Sequence, residues 1–510
     1  MRSFTSSCVL PMVLVATLAI PIVLNAQTTP QIKVPSRPRY RVFDLGTLGG
    51  PNSLVESFAK TVNRHGTVAG WSDTDITNPS VGNPNPFFGP DPNVQHSFRW
   101  RKGILQDLGS LPGGFNSADT WINDRSAISG LSENGATDPL LGGAPATTPV
   151  IWKNGQIIDL GTFGGYEGVA WSINDHDQAV GMATNTVPDS YPDPAFFFPF
   201  GAQFRAFFWE RGRIHDMGTL GGPSAVPFQI NELGQAAGVS YTSFDAGPLG
   251  IPPVNPFFWD CEHGMIDLGS LGGVFSLELL MNNRGWVVGV SSLADDPVAC
   301  SSGVGVPSCH AFLWRPGDKE MRDLGTLGGN YSDALWVDDS GAVVGSSTTA
   351  GDQLVRAYRW KNGRMTNLGS LNGDPCSRAL SSNSKGQVVG ISLPDCGDAG
   401  DAFLWESGSG MIDLNSLVPP NPDFQLHEPT FISENGEITG KALLTNGEAH
   451  DFLLIPCDGA DPDDRTCGGG TDSASTDREI FRTESASRSA SRATSGRRPR
   501  ADLGRRNLRH

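Results

Sequence analysis

A chain of 510 residues is long enough for a large core. Its 63 glycines and 37 prolines, beside an ordinary apolar share of 38%, mark a turn-rich globular protein rather than a disordered one. The net charge of −17 gives an acidic surface that repels phosphate backbones, so nucleic acid is excluded as a partner of the main body.

Residues 1–26 read as a secretory signal peptide, with Arg2 as the early charge, a mostly apolar stretch from Val9 to Leu24 and a small residue at Ala26 for cleavage. Pro11 and Pro21 break that stretch, which is too short for a good span, and no later apolar run is long enough for a transmembrane anchor. The mature protein is expected to be secreted and monomeric. Residues 27–39 read as a linker into the first repeated element.

That element is "FDLGTLGG" at Phe43, and it returns down the chain. Its acidic position falls at Asp44, Asp107, Asp159, Asp216, Asp267, Asp323, Asn367 and Asp413, at intervals of 63, 52, 57, 51, 56, 44 and 46 residues. A period near 50 residues signals stacked units or a propeller. Each repeat has two halves. The first, as in "SDALWVDDSGAVVGSS" from Ser332, alternates apolar and polar residues on both sides of a turn led by Asn, Asp or Ser, which predicts a β-hairpin. The second, as in "HAFLWRPGDKEMRDLG" from His310, predicts two more short strands. The third strand ends in Trp100, Trp152, Trp209, Trp259, Trp314, Trp360 and Trp405, with Leu454 in the last copy. A tryptophan at a fixed repeat position is expected to pack between neighbouring sheets. The Asp of "DLG" is expected to accept backbone N–H groups, a task Asn367 also performs.

The chain ends set the expected architecture. It enters with "YRVFDLG", a fourth strand without its hairpin, and leaves with "AHDFLLIP", a third strand without its fourth. Pairing the two closes a ring and removes two exposed edges. The expectation is all-β: an eight-bladed β-propeller of four-stranded blades over residues 40–456, closed by pairing the N-terminal strand with the C-terminal hairpin strand. Which strand is innermost is left open.

The tripeptide His310-Ala311-Phe312, its variants from Arg205 and Asp401, and the neighbouring "DLGTLGG" runs resemble the extracellular HAF-repeat family. The resemblance covers nearly all of 40–456. It implies an exported bacterial-type repeat protein and brings no established catalytic residues.

Function is sought where the symmetry breaks. The first five repeats carry long connections between second and third strands, at about 72–95, 131–148, 182–204, 240–254 and 290–308; in the last three they are short. These loops share a face with the "GTLGG" turns. Their Phe87, Phe88, Tyr191, Phe196, Phe197, Phe198, Tyr241 and Phe244, with Asp189 and Asp193 as polar contacts, form a candidate platform for a glycan or an exported protein. The plainer reading folds these rings down into a satellite core beneath the loops. GxSxG, HExxH, phosphate-loop and dinucleotide motifs are absent, and no cofactor is expected. Carboxylates that would pair for glycoside chemistry are Asp73, Asp75, Glu133, Asp138, Glu167, Asp189 and Asp193. The leading expectation is a non-enzymatic binding propeller. The alternatives are an extracellular polysaccharide-acting hydrolase or lyase, and a purely structural envelope protein.

Cysteine spacing suggests three disulfides in an exported chain: Cys300 with Cys309, Cys376 with Cys396, and Cys457 with Cys467. Cys261 is left over. Asp458, Asp461, Asp463 and Asp464 lie in an acidic linker at 457–470, read as solvated rather than calcium-binding. Residues 471–510, with ten Arg against five acids and little to bury, read as a disordered tail.

Overall fold

The structure, a computed structural model, describes residues 39–191, 200–247, 250–294, 308–397 and 400–457. The expected signal peptide, most of the N-terminal linker, the remainder of the 457–470 linker and the Arg-rich tail lie outside the described residues.

Four antiparallel strands in chain order make one sheet, and the pattern repeats. In the first, Gly49–Leu54, Val68–Thr77, Asn93–Arg101 and Ile104–Asp107 pair in succession. Four sheets are separate, and a run of seventeen hydrogen-bonded strands falls into four further antiparallel groups. Single parallel bridges join those groups, at Val254 with Phe275, Cys309 with Tyr331 and Val355 with Cys376. The hairpin halves read from the sequence therefore hold. The N-terminal strand Tyr40–Asp44 completes the sheet of Phe424–Ile432, Ile438–Leu444 and Ala449–Pro456, in a register running from Tyr40 with Pro456 to Asp44 with Phe452.

Within a sheet the first strand bulges opposite a glycine of the second. Register slips between Ala170 and Ser172 against Gly181, and between Glu278 and Leu280 against Gly289. A Cβ on Gly181 would sit 2.0 Å from the Val169 carbonyl oxygen and 2.8 Å from the Phe207 ring, and one on Gly289 would meet the Leu277 carbonyl oxygen at 1.9 Å. The glycine of "VVG" is thus required by close approach, where the bulge presses in from one side and the phenylalanine of the third strand lies over it.

The repeated tryptophans pack as expected. Trp100, Trp152, Trp314 and Trp360 are buried, and rings meet across neighbouring sheets, Phe43 with Trp100 at 5.6 Å and Phe258 with Trp314 at 5.1 Å. The "DLG" carboxylate caps its own turn. Asp44 Oδ1 accepts from Gly46 N at 2.8 Å, Asp323 Oδ1 from Gly325 N at 2.7 Å, and Asn367 Oδ1 performs the same task for Gly369 at 2.8 Å. It also takes a cross-strand donor from the first residue of the tripeptide. These donors are His96, Thr148, Arg205, Asn255, His310 and His450, with Asp401 facing Asp413 instead in one sheet and Arg356 donating to the Val355 and Pro375 carbonyls rather than to Asn367 in another. Burial would raise the Asp323 carboxyl, but the His310 hydrogen bond and the Gly325 N–H hold it below the usual range.

Cys376 and Cys396 are bonded, with Cα atoms 5.1 Å apart. Cys309 and Cys457 are also disulfide-bonded, while their expected partners Cys300 and Cys467 lie outside the described residues. Cys261 is exposed and unpaired. No helix among the described residues is long and apolar enough to cross a membrane.

Candidate functional site

The face with the long connections differs from expectation at its base. Second strands run on to Thr77, Asp138 and Pro188, past irregular registers at Asp73/Thr77, Glu133/Thr137 and Thr184/Pro188, so the loops begin later than the alternation implied. The loops are tied across repeats. Asn83 Nδ2 donates to the Gly142 carbonyl at 3.2 Å, Asn85 Nδ2 to the Pro145 carbonyl and to Glu167 Oε2, both at 2.8 Å, and the Tyr191 hydroxyl to the Phe244 carbonyl at 2.7 Å.

Phe88 and Tyr241, expected as exposed ligand anchors, are buried at 8% and 1% exposure in one cluster with Leu131, Met182 and Phe204. Apolar burial beneath the tied loops outweighs exposure, so both belong to the core. Phe87 is half-buried, 5.0 Å from Phe200, a ring that is itself buried. Tyr191 stays half-buried and Phe244 is 62% exposed. Phe196, Phe197, Phe198 and Asp193 lie outside the described residues. Asp189 accepts from Tyr191 N at 2.9 Å, and burial raises its carboxyl.

The apolar surface that remains open on this face comes mainly from other residues. Ile76, Val81, Phe115, Leu140, Tyr166 and Val187 are exposed there with Phe244. Phe115 and Tyr166 directly follow the Gly-Gly of their crossing turns, a position the sequence does mark.

The candidate catalytic carboxylates are largely occupied. Glu133 Oε2 takes Phe115 N and Asn116 N, Asp73 Oδ2 takes Asn52 N and Nδ2, and Asp138 Oδ1 takes Leu140 N. Asp75 stands on the same second strand as Asp73 and is exposed. Glu167 is 1% exposed and held by Asn85 and Thr147, while its Oε1 has no hydrogen-bond partner. Burial pushes its carboxyl up to about 8. No group of three or more His, Cys, Asp or Glu among the described residues is placed to hold a metal ion.

On the opposite face, the ends of the first strands and their turns converge. One cavity of about 210 Å³ is lined by residues from every sheet, including Lys60, Trp121, Gln229, Met281, Trp336, Ser382 and Phe431. The first strand is therefore the innermost, the phase that periodicity leaves open. Trp121 packs against the cluster of Leu280, Val337 and Trp360, and Trp336 against that of Val62, Phe431 and Leu453, so indoles from distant repeats line one cavity. The turns form a belt at its mouth. Six of the eight second turn residues donate their backbone N–H to the second turn side chain of the following repeat: Arg64 to Asp124 at 3.0 Å, Asp124 to Asp175 at 2.8 Å, Asp175 to Glu232 at 3.0 Å, Glu232 to Asn283 at 3.2 Å, Asn283 to Asp339 at 2.9 Å and Ser384 to Glu434 at 3.0 Å. The leading Asn serves its own turn, as Asn123 Oδ1 accepts from Arg125 N, and also reaches the next repeat, as Asn123 Nδ2 donates to the Asn174 carbonyl at 2.8 Å. The repeated acid at the second turn position was the visible signal for this mouth; the shared lining by the two indoles had none.

No protein-family model and no curated protein matches the chain. Among solved structures it is similar to a gluconolactonase from Xanthomonas campestris, with 10% identity, 50% of this chain and 82% of that one covered, and a TM-score of 0.27. It is similar to TolB from Acinetobacter baumannii, with 10% identity, 65% and 80% covered, and a TM-score of 0.30; both are β-propeller proteins. It is also similar to a Trypanosoma rangeli sialidase, with 9% identity, 83% and 94% covered, and a TM-score of 0.28. Likenesses this weak carry no argument about what the chain does, and none of them names a HAF-repeat family.

Proposed function

We propose that the chain is an exported HAF-type repeat protein, folded as a closed eight-bladed propeller, that binds another exported protein through its long-loop face without catalysing a reaction. Closure is supported by the five-residue pairing of Tyr40–Asp44 with the last strand. Contacts between the last and first repeats support it further: Asn435 Nδ2 lies 3.4 Å from the Arg64 carbonyl oxygen, and the hydroxyls of Thr61 and Thr439 are 2.6 Å apart. Export is supported by the Cys376–Cys396 bond.

The observation that carries the binding reading is the apolar surface left open among the long loops, Ile76, Phe115, Leu140, Val187 and Phe244 above all. Exposed apolar side chains on a loop layer that is otherwise tied down suit a partner surface. Aliphatic side chains predominate among them, which favours a protein over a glycan. The glycan reading rests on Tyr166, Tyr191 and Phe244. The test replaces Phe115 and Phe244 by Ser in the full chain and measures capture of exported proteins and binding to a glycan array. Loss of a partner bound by the wild type, at unchanged melting temperature, supports the face; equal binding by the double variant refutes it.

The enzyme reading draws on Glu167, a buried acid with a free oxygen. Release of new reducing ends from a polysaccharide panel, lost in Glu167→Gln, would favour it.

A further inference from the structure

The cavity inside the turn belt has a chemistry of its own. Its lining holds five carboxylates, Asp124, Glu232, Asp338, Asp339 and Glu434, against two cations, Lys60 and Arg64. Lys60 is already spent, its Nζ lying 2.8 Å from Asp124 Oδ1. A concave wall with an excess of one sign concentrates counter-charge. The carboxylates are held apart by the belt, since Asp124, Glu232, Asp339 and Glu434 each accept a backbone N–H from the preceding repeat. Their charge is therefore spread round a rim rather than gathered on a point, in keeping with the absence of any metal-holding group among the described residues. Below the rim lie Trp121 and Trp336, half-buried, with the Phe431 ring 5.4 Å from Trp336. Indole faces attract organic cations, and the same protein stacks Arg315 on Trp286 at 4.3 Å. A cavity of about 210 Å³ exceeds the roughly 150 Å³ that accommodates benzene, so it admits a short alkyl chain with a charged head.

We infer that this cavity is a binding site for an alkylammonium or alkylguanidinium group, with the head at the carboxylate rim and the chain against the indoles. It lies on the face opposite the long loops, so it stands or falls separately from the binding reading above.

The test titrates the full chain with n-butylammonium and butylguanidinium, with 1-butanol as the neutral match, by calorimetry and ligand-observed NMR. Saturable binding of the cations, weakened by salt and absent for the alcohol, is expected. Glu232→Gln with Glu434→Gln keeps the belt acceptors while removing charge, and should weaken binding about tenfold. Trp121→Leu should weaken it about fivefold. N-acetyl-lysine methylamide separates the sources: tighter binding than butylammonium assigns the site to a side chain of another protein, and weaker binding assigns it to a free amine. Equal binding of butanol, no saturable binding of either cation, or full affinity in a folded Gln double variant would overturn the assignment.

Discussion

Removing residues 40–47 tests whether the strand Tyr40–Asp44 closes the proposed ring. Tyr40 and Leu45 are 2% and 3% exposed, and Val42 and Phe43 are partly buried against the last sheet and the first. At ~1.5–3 kcal/mol for each fully buried side chain, two full and two half burials amount to roughly 5–9 kcal/mol. That sum is an upper figure, because the unfolded chain already buries some of this surface. It is of the same order as the roughly 5–15 kcal/mol by which whole domains are stable. The truncation also bares the edge of Ala449–Pro456, which then offers unpaired backbone groups to other chains. Tyr40→Ala is the milder probe and should cost about 3–5 kcal/mol. For a fold of this length about 1 kcal/mol moves the melting point by roughly one degree. Calorimetry should therefore show a fall of about 3–5 °C for Tyr40→Ala. The truncation should show a broad, low transition, with aggregates on gel filtration. A truncated protein that melts at the wild-type temperature with the wild-type enthalpy would refute closure by this strand.

Two further outcomes follow from the loop layer. Phe200→Ala should lower the melting temperature by about 3–5 °C, since that ring lies 5.0 Å from Phe87 and 5.7 Å from Phe204, whereas Phe244→Ala should leave it unchanged; the reverse order in a thermal scan would show that the rings under the loops are not a core. Glu167, raised by burial to about 8, contributes stability that is complete below the ordinary carboxylate range near pH 4.5 and is lost as pH rises through about 8, at up to about 1.4 kcal/mol per pH unit. Glu167→Gln cannot ionise, so its melting curve against pH should be flatter than the wild type's between pH 5 and 9, and parallel curves would remove Glu167 as a cause.

The repeated parts of the fold were legible because each is decided within a few residues. The capping of Gly46 by Asp44, the service of Asn123 to its own turn and the Cys376–Cys396 bond all join groups whose neighbourhood the spacing already defines. The loop phenylalanines were not, because their burial depends on partners far along the chain. Asn85 anchors its loop on Glu167, and Phe88 enters a cluster with Val239 and Val254. A local window contains none of those contacts. The same holds for the cavity: nothing near Trp121 in sequence reveals that it meets the side chains around Leu280 and Val337.

The cross-strand pair at the "DLG" turn bears on how chains of this kind are recognised. The carboxylate of Asp323 answers to two donors at once, a glycine amide and a neighbouring side chain. Its partner has only to present one hydrogen, and His96, Thr148, Arg205, Asn255 and His450 all do so. A text search for the literal tripeptide finds one copy in this chain, at His310. A pattern written as chemistry, a donor facing an oxygen that caps a glycine two residues on, retrieves most of the copies that spelling misses.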